Sequence, residues 1–176
     1  MTGTPVPTIL TRRLKLRGHE ASDFDTLKAI WSDPDIVRFI GGVARPATQV
    51  WTNLLRNRGL WDVLGYGYWL AEDRKTGQFV GEVGFADFKR ETEPSISGAP
   101  ECGWIIAPSA HGKGYASEAV TAIHDWLDDA LSGQKSVCII AHENAPSIRI
   151  AEKVGYQPCG EVMFNGELTR YFERQP

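Results

Sequence analysis

HGKGYASEAV, residues His111–Val120, sets Gly112 and Gly114 directly ahead of an amphipathic helix. Apolar residues recur at Ala116, Ala119, Val120, Ile123, Trp126, Leu127 and Ala130, the i, i+3, i+4, i+7 spacing of one helical face. The preceding ECGWIIAP, closed by Pro108, reads as a buried strand. The local order is therefore strand, glycine turn, helix. The first N–H groups of a helix lack internal partners, and its positive dipole end favours an anion. Glycines let such a backbone approach a phosphate with no Cβ in the way. A phosphate cradle is one reading of the stretch. A plain strand-to-helix turn that binds nothing is the other.

The 176 residues around it predict one α+β domain over 1–176, long enough to bury roughly 70% of its unfolded surface. At 42% apolar, 23% charged and 10% aromatic, the chain has the composition of a folded soluble protein, not a disordered or fibrous one. The net charge is −3 and no block of like charges occurs, so no nucleic-acid partner is expected. MTGTPVPTIL lacks the charged start and apolar core of a leader peptide. No run of about 18 apolar residues exists, so no membrane partner is expected either. Cys102, Cys138 and Cys159 are odd in number, widely spaced and without a CxxC pair, which predicts buried, reduced thiols and a cytoplasmic protein.

In chain order, 8–17 reads as a first strand, 23–31 as a short helix capped by Ser22, and 35–40 as one further helical turn. A helix over 48–64 follows, then strands over 66–72 and 79–88 joined through Lys75-Thr76-Gly77. Lys89 to Gly98 is polar and reads as an exposed loop. After the strand over 101–107 come the long helix over 115–131 and a strand over 136–141. A helix capped by Asn144 runs to Val154, with Pro146 in its first turn. Two last strands, 156–164 and 167–173, meet at Asn165-Gly166, the strongest short hairpin signal.

These segments together resemble the GCN5-related N-acetyltransferases (GNAT), and within them the RimJ/RimL-type branch. TRRLKLR, SDPDIVRFIGG, FVGEVGF, ECGWIIAPSAHGKGYASEAV and NAPSIRIAEKVGY match the family's segments in the right order over nearly the whole chain. The resemblance implies a central mixed, mostly antiparallel β-sheet of about seven strands flanked by about four helices. It implies a splay between the fourth and fifth strands that takes the pantetheine arm of acetyl-CoA as an added strand. Backbone contacts to that arm then fall to Trp104, Ile105 and Ile106. The pyrophosphate falls to His111, Gly112, Lys113, Gly114, Tyr115, Ala116 and Ser117. His111 stands where the family has Gln or Arg. If its side chain touches the cofactor, binding becomes pH-dependent.

On the last helix, Asn144 is a helix cap or a contact to pantetheine. Arg149 and Lys153 share a face at i, i+4, as a solvated pair or as partners of the 3′-phosphate. The implied activity moves acetyl from acetyl-CoA to a primary amine by direct attack in a ternary complex. The acceptor is a protein N-terminus, a lysine or a small-molecule amine, and the protein is a monomer or homodimer. The usual Tyr acid would stand at Ala151, so Ser147 or a water is left to protonate the thiolate. Glu101 and Glu82 are the candidate bases. At pH 7 neutralising a lysine-like amine costs roughly 4.6 kcal/mol and an α-amine about 1–1.4 kcal/mol, so the demand on the base depends on the acceptor.

Three other site types fail. GKGYAS ends in Ser117 and follows a long meander, unlike a dinucleotide fingerprint after a first strand. Lys113 is followed by Gly114, not Ser or Thr, which breaks a nucleoside-triphosphate loop. His19, His111, His124 and His142 show no metal-ligand spacing. Trp31, Trp51, Trp61 and Trp69 read as core, with the acceptor pocket expected between Trp31 and Tyr68. The alternative function is a non-catalytic acyl-CoA sensor or structural subunit, which would keep the glycine turn and lose the catalytic polar groups.

Overall fold

A computed structural model describes residues 4–131 and 133–176. The first three residues of the stretch read for a leader lie outside that range. The elements run β1 (Ile9–Leu10), β2 (Leu14–Arg17), α1 (Phe24–Trp31), α2 (Pro34–Val37), α3 (Ala47–Leu64), β3 (Tyr68–Asp73), β4 (Phe79–Ala86), β5 (Glu101–Ile106), α4 (Tyr115–Ala130), β6 (Ser136–Ile140), α5 (Ala145–Lys153), β7 (Gln157–Phe164) and β8 (Glu167–Arg174). The expected architecture is present with eight strands in place of about seven and five helices in place of about four. The first strand is two short ones because the chain turns at 11–13, where Thr11 N–H bonds Leu14 O and Glu118 accepts from Thr11 and Arg13.

One sheet is ordered β1-β2-β3-β4-β5-β6-β8-β7. Every pairing is antiparallel except β5 with β6, and that parallel pair has a single register partner, Glu101 with Val137. β4 and β5 stay paired over six residues, from Gly81–Ile106 to Ala86–Glu101. β5 therefore parts from β6 just after its first residue, while its other edge remains in the ladder. This is the expected splay.

Alternation of side chains across the strands divides the interior into two layers. One face of the sheet buries Leu14, Leu16, Ala71, Val83, Phe85 and Cys102 against Ala119, Val120, Ile123 and Leu127 of α4. On the same side Trp61, Trp69 and Trp126 meet edge to face at 4.6–5.3 Å between ring centroids. The other face carries Leu70 and Ile105 under Leu27, Trp31, Ile36, Val37, Val50 and Leu54 of α1, α2 and α3. Glu82 pairs in register with both Leu70 and Ile105, so its side chain enters this second layer.

Three expectations need correction. Trp51, read as core, is 39% exposed and meets only the edge of Phe24 among the described aromatic rings. The 89–98 segment is not simply exposed. Ile96 is buried with Val137 and Val162, and Glu93 bridges Met163, so the segment is tied to β7. Cys102 and Cys138 are buried as expected, but Cys159 lies on an exposed strand; all three are free. Among the described residues no helix is long and apolar enough to cross a membrane, and no metal-binding cluster occurs.

Candidate functional site

The parity of β5 decides which backbone groups face the splay. Ala107 N–H donates to Val80 O (2.8 Å) on the β4 side, and Val137 N–H donates to Pro100 O (3.0 Å) on the β6 side. Odd residues of β5 thus direct their backbone toward β4, and even residues toward the gap. Trp104 and Ile106 present theirs where β6 has withdrawn. Ile105, expected beside them, is turned to β4 opposite Glu82; an alternating strand cannot offer three successive residues to one edge. Ile106 O already accepts from His111 Nε2–H at 2.7 Å, which folds the imidazole back over the strand end.

Gly112 and Gly114 both have left-handed backbone, φ +71° and +75°, a conformation costly for other residues. A Cβ at Gly112 would meet nothing within 4 Å, so the outer side of the turn is open space. α4 starts without a side-chain cap, and its first backbone bond is Glu118 N–H to Gly114 O. The N–H groups of Tyr115, Ala116 and Ser117 are left as free donors. Tyr115 hydroxyl is anchored to Asp73 at 2.7 Å, and Lys113 Nζ to Ser109 O at 2.8 Å. Arg13 was not singled out by sequence, yet its Nη1 donates to Lys113 O (2.7 Å) and its Nε to Glu118 (2.6 Å). It staples the turn to β2 across about a hundred residues, a pairing no local pattern reveals.

On α5, Asn144 Oδ1 accepts from Ser147 N–H at 3.2 Å, so it is a helix cap. Ser147 is half-buried, Arg149 and Lys153 are exposed, and Ala151 is buried. Lys153 lines an open groove of about 860 Å³ together with Gly114 and Ser117. Asp125 and Asp129 line it too, carboxylates that compete with any phosphate for the ammonium.

The two candidate bases share the second face but differ in surroundings. Glu82 Oε1 accepts from His19 Nε2–H (2.6 Å) and Asn57 Nδ2 (3.2 Å), and its Oε2 accepts from Trp31 Nε1 (3.0 Å). Three donors from three segments close around it. Glu101 is also buried, and Arg90 Nε reaches both its oxygens at 2.8 and 3.0 Å. Burial raises the Glu101 carboxyl above its usual value, while the bond and charge of Arg90 pull it back.

Tyr68, missed from sequence as a site residue, lies across the glycines of neighbouring strands. A Cβ on Gly103 would sit 2.2 Å from its hydroxyl, and one on Gly84 2.4 Å from its Cα. Only glycines admit it. Its phenol is held neutral by burial first and by Glu101 second. The hydroxyl thus stands one residue before Trp104, beside Glu101. Arg45, Arg56 and Arg90 surround this face; the first two fall in the stretch expected to shape the acceptor pocket, but sequence singled out none of the three.

Residues 13–157 match the family described as acetyltransferase (GNAT) domain. YkkB of Bacillus subtilis is 32% identical over 151 residues, 84% of this chain and 83% of its own. A GnaT-family acetyltransferase structure from Bordetella pertussis is 30% identical, covers 96% of this chain and 99% of its own, and superposes with a TM-score of 0.86. A spermidine N-acetyltransferase of Vibrio cholerae in complex with CoA and spermine shares the fold at 18% identity and a TM-score of 0.72, over 94% of this chain and 96% of its own.

Proposed function

The chain belongs to the GNAT acetyltransferase family, enzymes with acetyl-CoA as acyl donor, and from that premise we propose that it acetylates a primary amine by direct attack within a ternary complex. The observation that carries this reading is the splay. The backbone groups of Trp104 and Ile106 face a gap that ends at the free amides of α4. A pantetheine arm can add to β5 as a strand would, with its pyrophosphate at the turn from Gly112 to Ser117.

Acetyl-CoA supplies an activated thioester. The remaining work falls to side chains. Glu101 receives the proton of the acceptor ammonium through water, worth on the order of 10²–10⁴ in rate. Arg90 keeps it ionised and oriented. Glu82 we assign to structure, since three buried donors from three segments hold both its oxygens, and protonating it would weaken those bonds. Ser147 or a bound water returns a proton to the thiolate, Ala151 offering none. Lys153, which lines the groove, is assigned to the 3′-phosphate, with Arg149 one turn before it on α5. The RimJ/RimL-type branch is supported by the five ordered motifs, and free thiols suit a cytoplasmic setting.

Release of free thiol from acetyl-CoA with pooled amines and peptides tests the reading. Amine-dependent release is expected. Tight acetyl-CoA binding without release on any acceptor would instead establish the non-catalytic sensor.

A further inference from the structure

The acceptor side of the splay is unusually rich in guanidinium. Arg45 Cζ lies 3.5 Å from the centroid of the Trp31 ring, and its backbone N–H bonds Trp31 O at 3.1 Å. Arg56, on α3, and Arg90 both approach the Phe88 ring, at 5.1 and 4.6 Å. Phe88 in turn stands 6.3 Å from Tyr68, whose hydroxyl covers Gly103. The three cations therefore converge on the second face of the sheet, next to the point where β5 leaves β6.

Carboxylates do not balance them. Arg90 has Glu101. Arg45 and Arg56 have no ion pair among the described residues. Glu82 is the nearest counter-charge, but its oxygens accept from His19, Trp31 and Asn57. Arg45 is half-buried and Arg56 exposed, with Arg56 Nη2 donating to Asn57 Oδ1 at 3.4 Å; partial desolvation lowers both guanidiniums below their usual value, and the field of Arg56 lowers Arg45 further. A second observation is independent of charge. Asn53, one turn before Asn57 on α3, buries its Nδ2 without a partner. Two guanidiniums without a counter-ion and, on the same helix as Arg56, an amide donor without a partner leave hydrogen-bond donors open to an anion.

Building on the transfer reading, we infer that Arg45 and Arg56 form a subsite for a carboxylate, so that the acceptor is an amino acid whose amine reaches the splay while its carboxylate is held by the two guanidiniums. The fork of a guanidinium matches a carboxylate with two parallel bonds. A polyamine or aminoglycoside meets the opposite situation: its second ammonium would be placed among three cations. The subsite thus selects against the polycations that some proteins of this fold acetylate.

The test compares, in the thiol-release assay, a panel of free amino acids with their carboxamides and with spermidine. The free acid is expected to exceed its carboxamide in kcat/KM by about 10- to 100-fold, the worth of a charge-assisted pair. Arg56→Gln and Arg45→Gln should lower kcat/KM for the free acid far more than for the carboxamide and so close the gap between them, with Arg56→Lys restoring part of it. Equal rates for acid and carboxamide, or a preference for spermidine, overturn the subsite. If neither this panel nor the pooled amines and peptides release thiol, the transfer reading fails by itself, and the subsite is then read by calorimetry with coenzyme A and N-acetyl amino acids. Binding that Arg56→Gln abolishes upholds it, and absence of binding overturns it.

Discussion

Replacing Glu82 by alanine separates a buried strut from a catalytic base. The carboxylate joins β4 to α1 through Trp31, to α3 through Asn57 and to the turn after β2 through His19, at 3.0, 3.2 and 2.6 Å. It is 4% exposed and His19 2%, so little water reaches the orphaned donors. Each buried donor left unpaired costs roughly 1–3 kcal/mol, and partial relaxation gives a total of about 3–5 kcal/mol. At 2–4 °C per kcal/mol for a chain of this size, Tm should fall by roughly 6–20 °C. Glu82→Gln keeps the volume and one acceptor oxygen but turns an NH₂ toward a donor, and should cost about 1–3 kcal/mol. Calorimetric melting gives the stability. Thiol release well below Tm gives kcat, expected within about threefold of the parent for both variants. A Tm within about 3 °C of the parent, combined with a loss of more than about 100-fold in kcat, would refute the strut and make Glu82 the base.

Glu101→Gln should depress turnover most below the acceptor's pKa and partly recover as the amine deprotonates in solution; a constant factor at every pH would make Glu101 a positioning group. Gly114→Val forces a β-branched side chain into φ +75° at the start of α4, and calorimetry should show acetyl-CoA binding abolished with circular dichroism unchanged. Ser147→Ala should lower kcat with little effect on acetyl-CoA affinity, and an unchanged kcat gives the proton transfer to water. His124 is buried, donates from Nδ1 to Val120 O and accepts from Tyr156 at Nε2, and burial pushes it down to about 4. Its unfolded value near 6.5 is higher, so the unfolded chain binds the proton first, and stability present above pH 6.5 is lost as pH falls toward 4. The loss amounts to about 3 kcal/mol. Denaturant midpoints across that window should slope less in His124→Gln, and identical slopes would remove the assignment.

Much of this molecule is local and therefore written in the chain. The α4 stripe and the turn at Asn165-Gly166 depend on neighbours within a few residues, and both occur at the expected positions, with Asn165 at φ +51° and Gly166 at +81°. The order of strands followed from hydrophobic runs and from the resemblance those runs carry. The break between β1 and β2 was invisible, because Glu118 makes it from a hundred residues away. Glu82 and Glu101 looked equivalent as acids on adjacent strands. Only packing distinguished them, by closing three donors around one and a single guanidinium against the other. The turn of Ile105 away from the splay needed the register, since a strand's parity is set by its partners. The gathering of Arg45, Arg56 and Arg90 lay furthest from the sequence. They stand on a loop, a helix and a second loop, and charge at such separations along the chain carries no sign of proximity until the sheet brings the segments together.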